Sequence, residues 1–328
     1  MRVAESQRRA WSVRGSYERH KRIITAVGAI ILVFVLGNIL VGGFLNVHEI
    51  LITVKLASFL ALFGLCQMVV MAAGNAGLDL SVGYTATIAA VFTAPIMNGH
   101  NGHLWLAVLV AVAIGVMVGL ANGILSSYAR LPSLVVTLAM AEVLQGIINI
   151  YTAGRMINGT PSPVLQTVAA KSTGMVPNMV FVLAVVALVA LVVLYRTKLG
   201  AILFGVGENE TTAYLGGINT KRVRTLAFMA SAVIASLIGL LLLGNMGNAF
   251  KDMGSSYVLP SIAAAVVGGV SLRGGNGNFI GVILGAILLQ ALLNLLVALG
   301  WGDAGKWTGF GVVLYVVLIA YVGDKRTR

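Results

Sequence analysis

Apolar residues run on, again and again along this chain, for close to twenty positions without a charge. A helix rises 1.5 Å per residue, so the ~30 Å hydrocarbon layer of a bilayer takes about 20 apolar residues to cross. Ten stretches approach that length: residues 23–45, 55–74, 79–98, 103–127, 134–152, 177–195, 225–245, 258–272, 278–300 and 307–322. The third and eighth are the weakest, because Asp79 opens one and the other is short and runs into a glycine-rich loop. The runs are continuous, unlike the alternating ~10-residue segments of an outer-membrane barrel. Composition agrees. Of 328 residues, 59% are hydrophobic and 10% charged, against about 25% charged in a soluble domain. A soluble enzyme, a disordered chain and a disulfide-stapled secreted domain are excluded. The expected fold is an all-α polytopic membrane protein of about ten transmembrane helices.

The net charge of +12 follows the spans. Seven basic residues precede position 23, five lie within 196–224, and three lie in the last four positions. With both termini on the cytoplasmic side, inner segments collect 17 of the 22 basic residues, as the positive-inside rule requires. Attraction to anionic lipid adds to this anchoring. No soluble basic domain exists to bind nucleic acid. The organisation expected is a basic cytoplasmic segment (1–22), one transmembrane domain (23–322) with a cytoplasmic loop at 196–224, and a short cytoplasmic tail (323–328). The first apolar run outlasts the h-region of a signal peptide, so it reads as an uncleaved span.

Dull readings dispose of several motifs. Gly300–Lys306 imitates a phosphate-binding loop, but Trp307 stands where Ser or Thr must ligate magnesium. Cys66 is the single cysteine and reads as a small core residue. The four histidines have no metal-ligand spacing, so no metal site is expected, and no catalytic set is suggested. Asn158-Gly159-Thr160 is a sequon read as unused. Glycines at 115, 119 and 123, and at 277, 281 and 285, make flat helix faces suited to close packing. Gln290 and Asn294 form a weak polar stripe, read as interhelical glue.

Glu142 is more informative, because an acidic residue in mid-span costs roughly 2.5–3.5 kcal/mol unless it faces protein or water. Gln145 and Asn149 share its helix face at 100° per residue. Such a stripe is a path lining or interhelical glue. If it lines the path of an autonomous secondary transporter, Glu142 is the proton-coupling acid. Within the cytoplasmic loop, Glu208, Asn209, Glu210, Thr211, Thr212, Ala213, Tyr214, Leu215, Gly216 and Gly217 read as a short amphipathic helix with acids at its start and glycines as its stop.

Three stretches then resemble a known family. Gly77-Leu78-Asp79-Leu80-Ser81-Val82-Gly83 resembles the GIDLSVG motif of permease subunits of ribose-type sugar ABC importers. The stretch from Arg196 through Gly200 and Gly205 to Ile218 resembles that family's cytoplasmic segment. Ile262 to Gly277 resembles its I-A-A-V-V-x-G-G-x-S-L-x-G-G-x-G. Departures are Asn75-Ala76 before the first motif, Gln145 in place of an arginine, Pro260-Ser261 before the third, and Glu208 within the second.

The resemblance implies a ten-helix permease of a type II ABC importer in the bacterial inner membrane, lining one path with a second permease copy or a sister permease. It implies that residues 208–217 couple to a separate ATP-binding subunit, which would hold ATP and Mg, this chain binding no cofactor. It implies a periplasmic solute-binding protein, and a fifth helix near the path. Relatives move pentoses, hexoses, inositol, nucleosides or a quorum-sensing sugar and, more distantly, branched-chain amino acids; a monosaccharide is expected. Gly77, Asp79, Ser81 and Gly83 are read as structural, with the Asp79 carboxylate at a helix start.

Overall fold

The computed structural model describes residues 23–153, 157–302, 304–305, 308–309, 311–312 and 315. Among these, seven helices are long and apolar enough to cross a membrane. They are α1 (Ile23–Val41), α2 (Val47–Ala72), α4 (Leu104–Ser127, entered through one 3-10 turn at Asn101–His103), α5 (Ser133–Thr152), α7 (Asn178–Arg196), α10 (Thr220–Met246) and α12 (Phe279–Ala298). Two expected spans are shorter than a bilayer requires. α3 (Val82–Met97) has 16 residues and α11 (Val258–Val267) has 10. These are the two weakest runs of the sequence. Most of the tenth run, 307–322, lies outside the described residues.

The described residues fall into two compact units, one of residues 23–50 with those from 287 on, the other of residues 51–286. In the first, Phe34 and Phe44 pack with Ala291 and Leu295, the two rings 5.5 Å apart. Gln290 Nε2 donates to Asn294 Oδ1 at 2.8 Å, one turn along the same helix.

In the second unit α2 is buried without a break from Ala57 to Ala72. A helix apolar on every side belongs inside a bundle, and Cys66 lies within it, free and fully buried. In the same unit α4 and α10 run antiparallel. A Cβ at Gly115 would stand 2.6 Å from Val233 Cα, one at Gly119 would overlap Met229 Cα, and one at Gly123 would stand 2.7 Å from Thr225 Cα. The four-residue glycine spacing thus lets two backbones touch, which is how helices gain dispersion energy where lipid removes the hydrophobic drive. Gly281 and Gly285 repeat the device against Gly268 and Ala264.

The long connections are structured. Residues 153–176 include α6 (Pro163–Ala169), capped by the Ser162 hydroxyl, which accepts from Leu165 N–H. A two-residue antiparallel hairpin follows, β1 (Ser172–Thr173) with β2 (Val176–Pro177), turning at Gly174 with φ +61°. The 196–224 loop is α8 (Lys198–Glu208), α9 (Glu210–Leu215) and the first turn of α10. α10 therefore starts five residues before the apolar run that marked it, because helix propensity carries a polar first turn that hydropathy does not register.

Candidate functional site

Between α2 and α3 the backbone is non-helical; Asn75 and Ala76 are exposed, but Gly77, Asp79 and Ser81 are buried. Backbone polar groups at membrane depth must find partners within the protein. Here side chains supply them. Gln67 Nε2 donates to the Asp79 carbonyl at 2.7 Å, and Gln67 Oε1 accepts from Asp79 N–H at 3.3 Å. From α5, Ser133 Oγ donates to Ala76 O at 3.2 Å, and Thr137 Oγ1 accepts from Leu80 N–H at 3.1 Å. The Asp79 carboxylate is fully buried. It accepts from Ser81 N–H at 3.0 Å and Ser81 Oγ at 2.6 Å on one oxygen, and from Ser231 Oγ at 3.2 Å on the other. Asn122 Nδ2 donates to Ser81 Oγ at 2.9 Å. One carboxylate thereby ties α4 and α10 to the segment.

In the first motif one expectation needs correcting. Asp79 does not open the helix; α3 begins at Val82, and the carboxylate braces the turn before it. Gly77 is needed because a Cβ there would stand 2.7 Å from Val70 O. Gly83 is needed because a Cβ would overlap Gly254 O. Gln67, Asn122 and Ser231 were not found by sequence reasoning. A lone polar residue in an apolar span was the available signal, but three of them, 55 and 109 positions apart, do not announce a common target.

On α5 the polar stripe falls on one side, as its spacing requires. The buried side carries Val136, Ala141, Leu144 and Ile148. Glu142 and Asn149 are exposed and Gln145 is half-buried. Gln145 Nε2 donates to Asp252 Oδ1 at 3.3 Å, and Gln145 Oε1 is buried without a partner among the described residues. Tyr84 of α3 lies within the electrostatic reach of both Glu142 and Asp252. Asp252, in the loop after α10, and Tyr84 were missed, since neither sits in a polar stripe of its own. Together these groups make a face of carboxylate, amide and phenol that accepts and donates hydrogen bonds. Nearby, Phe92 and Tyr151 stack at 4.6 Å.

In the 208–217 stretch, Glu208 closes α8 and Asn209 breaks it, with φ −151° and ψ 100°. The Asn209 side chain then caps α9, accepting from Thr212 N–H at 2.9 Å. Thr211 is exposed and Ala213 is buried. Gly216 N–H donates to Thr212 O and Ile218 N–H to Ala213 O, with Gly217 at φ +83°, the glycine-ended stop that the sequence anticipated. α9 has six residues. Its position is fixed by Arg224, whose two terminal nitrogens donate to the two Glu210 carboxylate oxygens, each at 2.8 Å. Thr220 Oγ1 adds a donation at 3.2 Å. The bond from Arg224 holds the Glu210 carboxyl below its ordinary value, against a smaller opposing effect of burial. Tyr214 is 68% exposed and Leu215 80% exposed. Two large apolar side chains at the tip of a rigidly held helix are a surface without a cover in the single chain. Among the described residues no group of three His, Cys, Asp or Glu could hold a metal ion.

Comparison with known proteins follows the same lines. Residues 49–322 match the family described as branched-chain amino acid transport system / permease component. The autoinducer 2 import system permease protein LsrC of Salmonella typhimurium strain LT2 is 32% identical over 306 residues, covering 92% of this chain and 86% of that protein. Its namesake in Escherichia coli K12 is 30% identical over 306 residues, covering 92% and 87%. No solved structure matches. The resemblance to sugar importer permeases is borne out. With its apolar helices and these relatives, the chain is a multi-pass permease of the bacterial inner membrane, and it belongs to the family of branched-chain amino acid transport system permease components.

Proposed function

We propose that this chain is the transmembrane subunit of an ATP-driven importer that carries a small sugar-like solute from periplasm to cytoplasm. The observation that carries this reading is α9, with Tyr214 and Leu215 exposed at the end of a helix fixed by the Glu210–Arg224 pair. A lone transporter has no need to hold two apolar side chains on a short rigid helix between basic segments. A partner that hydrolyses ATP does, because its domain closure must push on something stiff.

In this reading residues 208–217 seat in the ATP-binding subunit, which holds ATP and Mg, and this chain binds no cofactor. Ten spans place both termini in the cytoplasm, as the distribution of basic residues supports. A periplasmic binding protein delivers solute, and a second permease, a copy or a sister chain, completes the path. The face of Glu142, Gln145, Asn149, Asp252 and Tyr84 lines that path. Its two carboxylates repel an anion, while its amides, phenol and carboxylates suit hydroxyl groups. The relatives named for autoinducer 2 import support a solute of that kind.

The test is native purification through a tag on this chain in mild detergent, with mass spectrometry of what accompanies it. A stoichiometric chain carrying intact nucleotide-binding motifs is expected. Recovery of this chain alone, where other membrane complexes survive, overturns the reading.

A further inference from the structure

Where α2, α8 and the loop after α11 meet, three stretches of main chain touch with no side chain between them. Gly275 N–H donates to Ala72 O at 3.1 Å. A Cβ at Gly207 would overlap that same Ala72 oxygen. A Cβ at Gly74, where φ is +85°, would stand 2.9 Å from Gly207 Cα. A Cβ at Gly275 would stand 2.7 Å from Glu208 Cα. Arg224 closes the joint. While its terminal nitrogens hold Glu210, its Nε donates to Ala73 O at 3.3 Å.

This junction has an end on each side. Glu208 and Asn209 lead directly into α9. Gly74 leads directly into the non-helical 75–81 segment, which Ser133 and Thr137 bind to α5. Backbones in van der Waals contact have no rotamers to absorb a displacement, so they transmit it. α5 in turn carries Glu142 and Gln145.

We propose that Arg224, with the backbone junction of Gly74, Gly207 and Gly275, is the joint through which movement of α9 reaches the 73–81 segment and α5. Arg224 is a positioning residue, acting by holding α9 and Ala73 on one guanidinium. The proposal rests on reading α9 as the docking helix. Glycine at 207 is a requirement of the joint, since any side chain there would pry α8 from α2.

Hydrogen exchange by mass spectrometry on the purified complex, with and without ATP plus vanadate, tests it. In the unmodified complex exchange should change both in 210–217 and in 73–81. In Arg224→Gln the response of 210–217 should persist, and that of 73–81 should fall at least threefold. Arg224→Lys keeps the charge facing Glu210 but lacks the planar fork that reaches Ala73; it should assemble and show the same selective loss. An undiminished 73–81 response in either assembled variant overturns the proposal. Failure of both variants to assemble makes Arg224 a scaffold residue and also overturns it. Failure to recover any nucleotide-binding partner with the unmodified chain overturns the docking reading, and the joint with it. A recovered partner with unaltered responses overturns the joint alone.

Discussion

Gln67 treats the main chain of Asp79 as a strand partner, donating to its carbonyl at 2.7 Å and accepting from its N–H at 3.3 Å. Both residues are fully buried. A buried peptide group stripped of its partner costs about 1–3 kcal/mol. Gln67→Leu removes two bonds at once and should lower the thermal unfolding midpoint in detergent, with faster proteolysis near 73–81. Gln67→Glu keeps an acceptor for the N–H but sets a carboxyl against the Asp79 carbonyl in a fully buried place, and should lose at least as much. Equal midpoints for the Leu variant and the unmodified chain would contradict the assignment.

Glu210 links docking to pH in one direction. Its carboxyl titrates below the ordinary value because Arg224 binds the charged form. The pair therefore contributes fully above the ordinary carboxylate range, and the contribution is lost as pH falls through the lowered folded value. Glu210 is half exposed, so the contribution is that of a surface pair, about 0.2–1 kcal/mol. Glu210→Gln should be less stable than the unmodified chain at pH 7, and the gap should close at acid pH. Thermal unfolding of both proteins across pH 3 to 8 checks this; a gap that widens with acid would refute it.

The membrane class, the seven long helices and the glycine faces were legible because each is a local property of the sequence, a run length or a four-residue period. The α5 stripe was legible for the same reason. What hydropathy could not give is the 73–81 segment, whose support comes from Gln67 on α2 and from Ser133 and Thr137 on α5. Ser133 and Thr137 are four apart on one helix face, yet Ser and Thr in apolar helices usually satisfy themselves on the preceding turn. The Glu210–Arg224 pair was hidden similarly. Charges 14 positions apart across a helix stop and start have no periodic signature.

Two glycines separate packing from propensity. Gly119 touches the backbone of Met229, whereas a Cβ at Gly146 would have nothing within 4 Å. Gly119→Val should pry α4 from α10 and sharply reduce the amount of folded protein recovered from membranes. Gly146→Ala should be neutral or stabilising by up to about 1 kcal/mol, since Ala is the better helix former. Fluorescence size-exclusion profiles of the two variants give the comparison. A Gly119→Val profile matching the unmodified chain would mean that the α4–α10 contact is not tight.

Glu142 divides two energy sources. It is exposed on α5, beside a Gln145 that bonds Asp252. Were Glu142 the acid of a proton-driven carrier, Glu142→Gln would abolish uptake, because the amide cannot cycle a proton. In an importer driven by a partner ATPase the amide keeps the hydrogen-bonding shape of the acid. Uptake into proteoliposomes should then stay within about threefold and remain strictly dependent on ATP rather than on a proton gradient. Complete loss in a variant that still assembles would favour the proton-driven carrier.

The tip of α9 gives the most direct test of docking. Leu215 and Tyr214 are its two most exposed apolar side chains, and neither supports the fold of the chain. Ala213, the buried position, together with the Asn209 cap and the Glu210–Arg224 pair, does that. Leu215→Asp should therefore leave the folded permease intact in isolation. In the complex it places a charge in an apolar seat, where an unpaired charge must be desolvated at a cost of several kcal/mol. Recovery of the ATP-binding partner should fall more than tenfold while the elution volume of the permease alone is unchanged. Normal recovery of the partner, with ATP hydrolysis still responsive to transport, would remove α9 from the interface and leave its exposed leucine facing water or lipid.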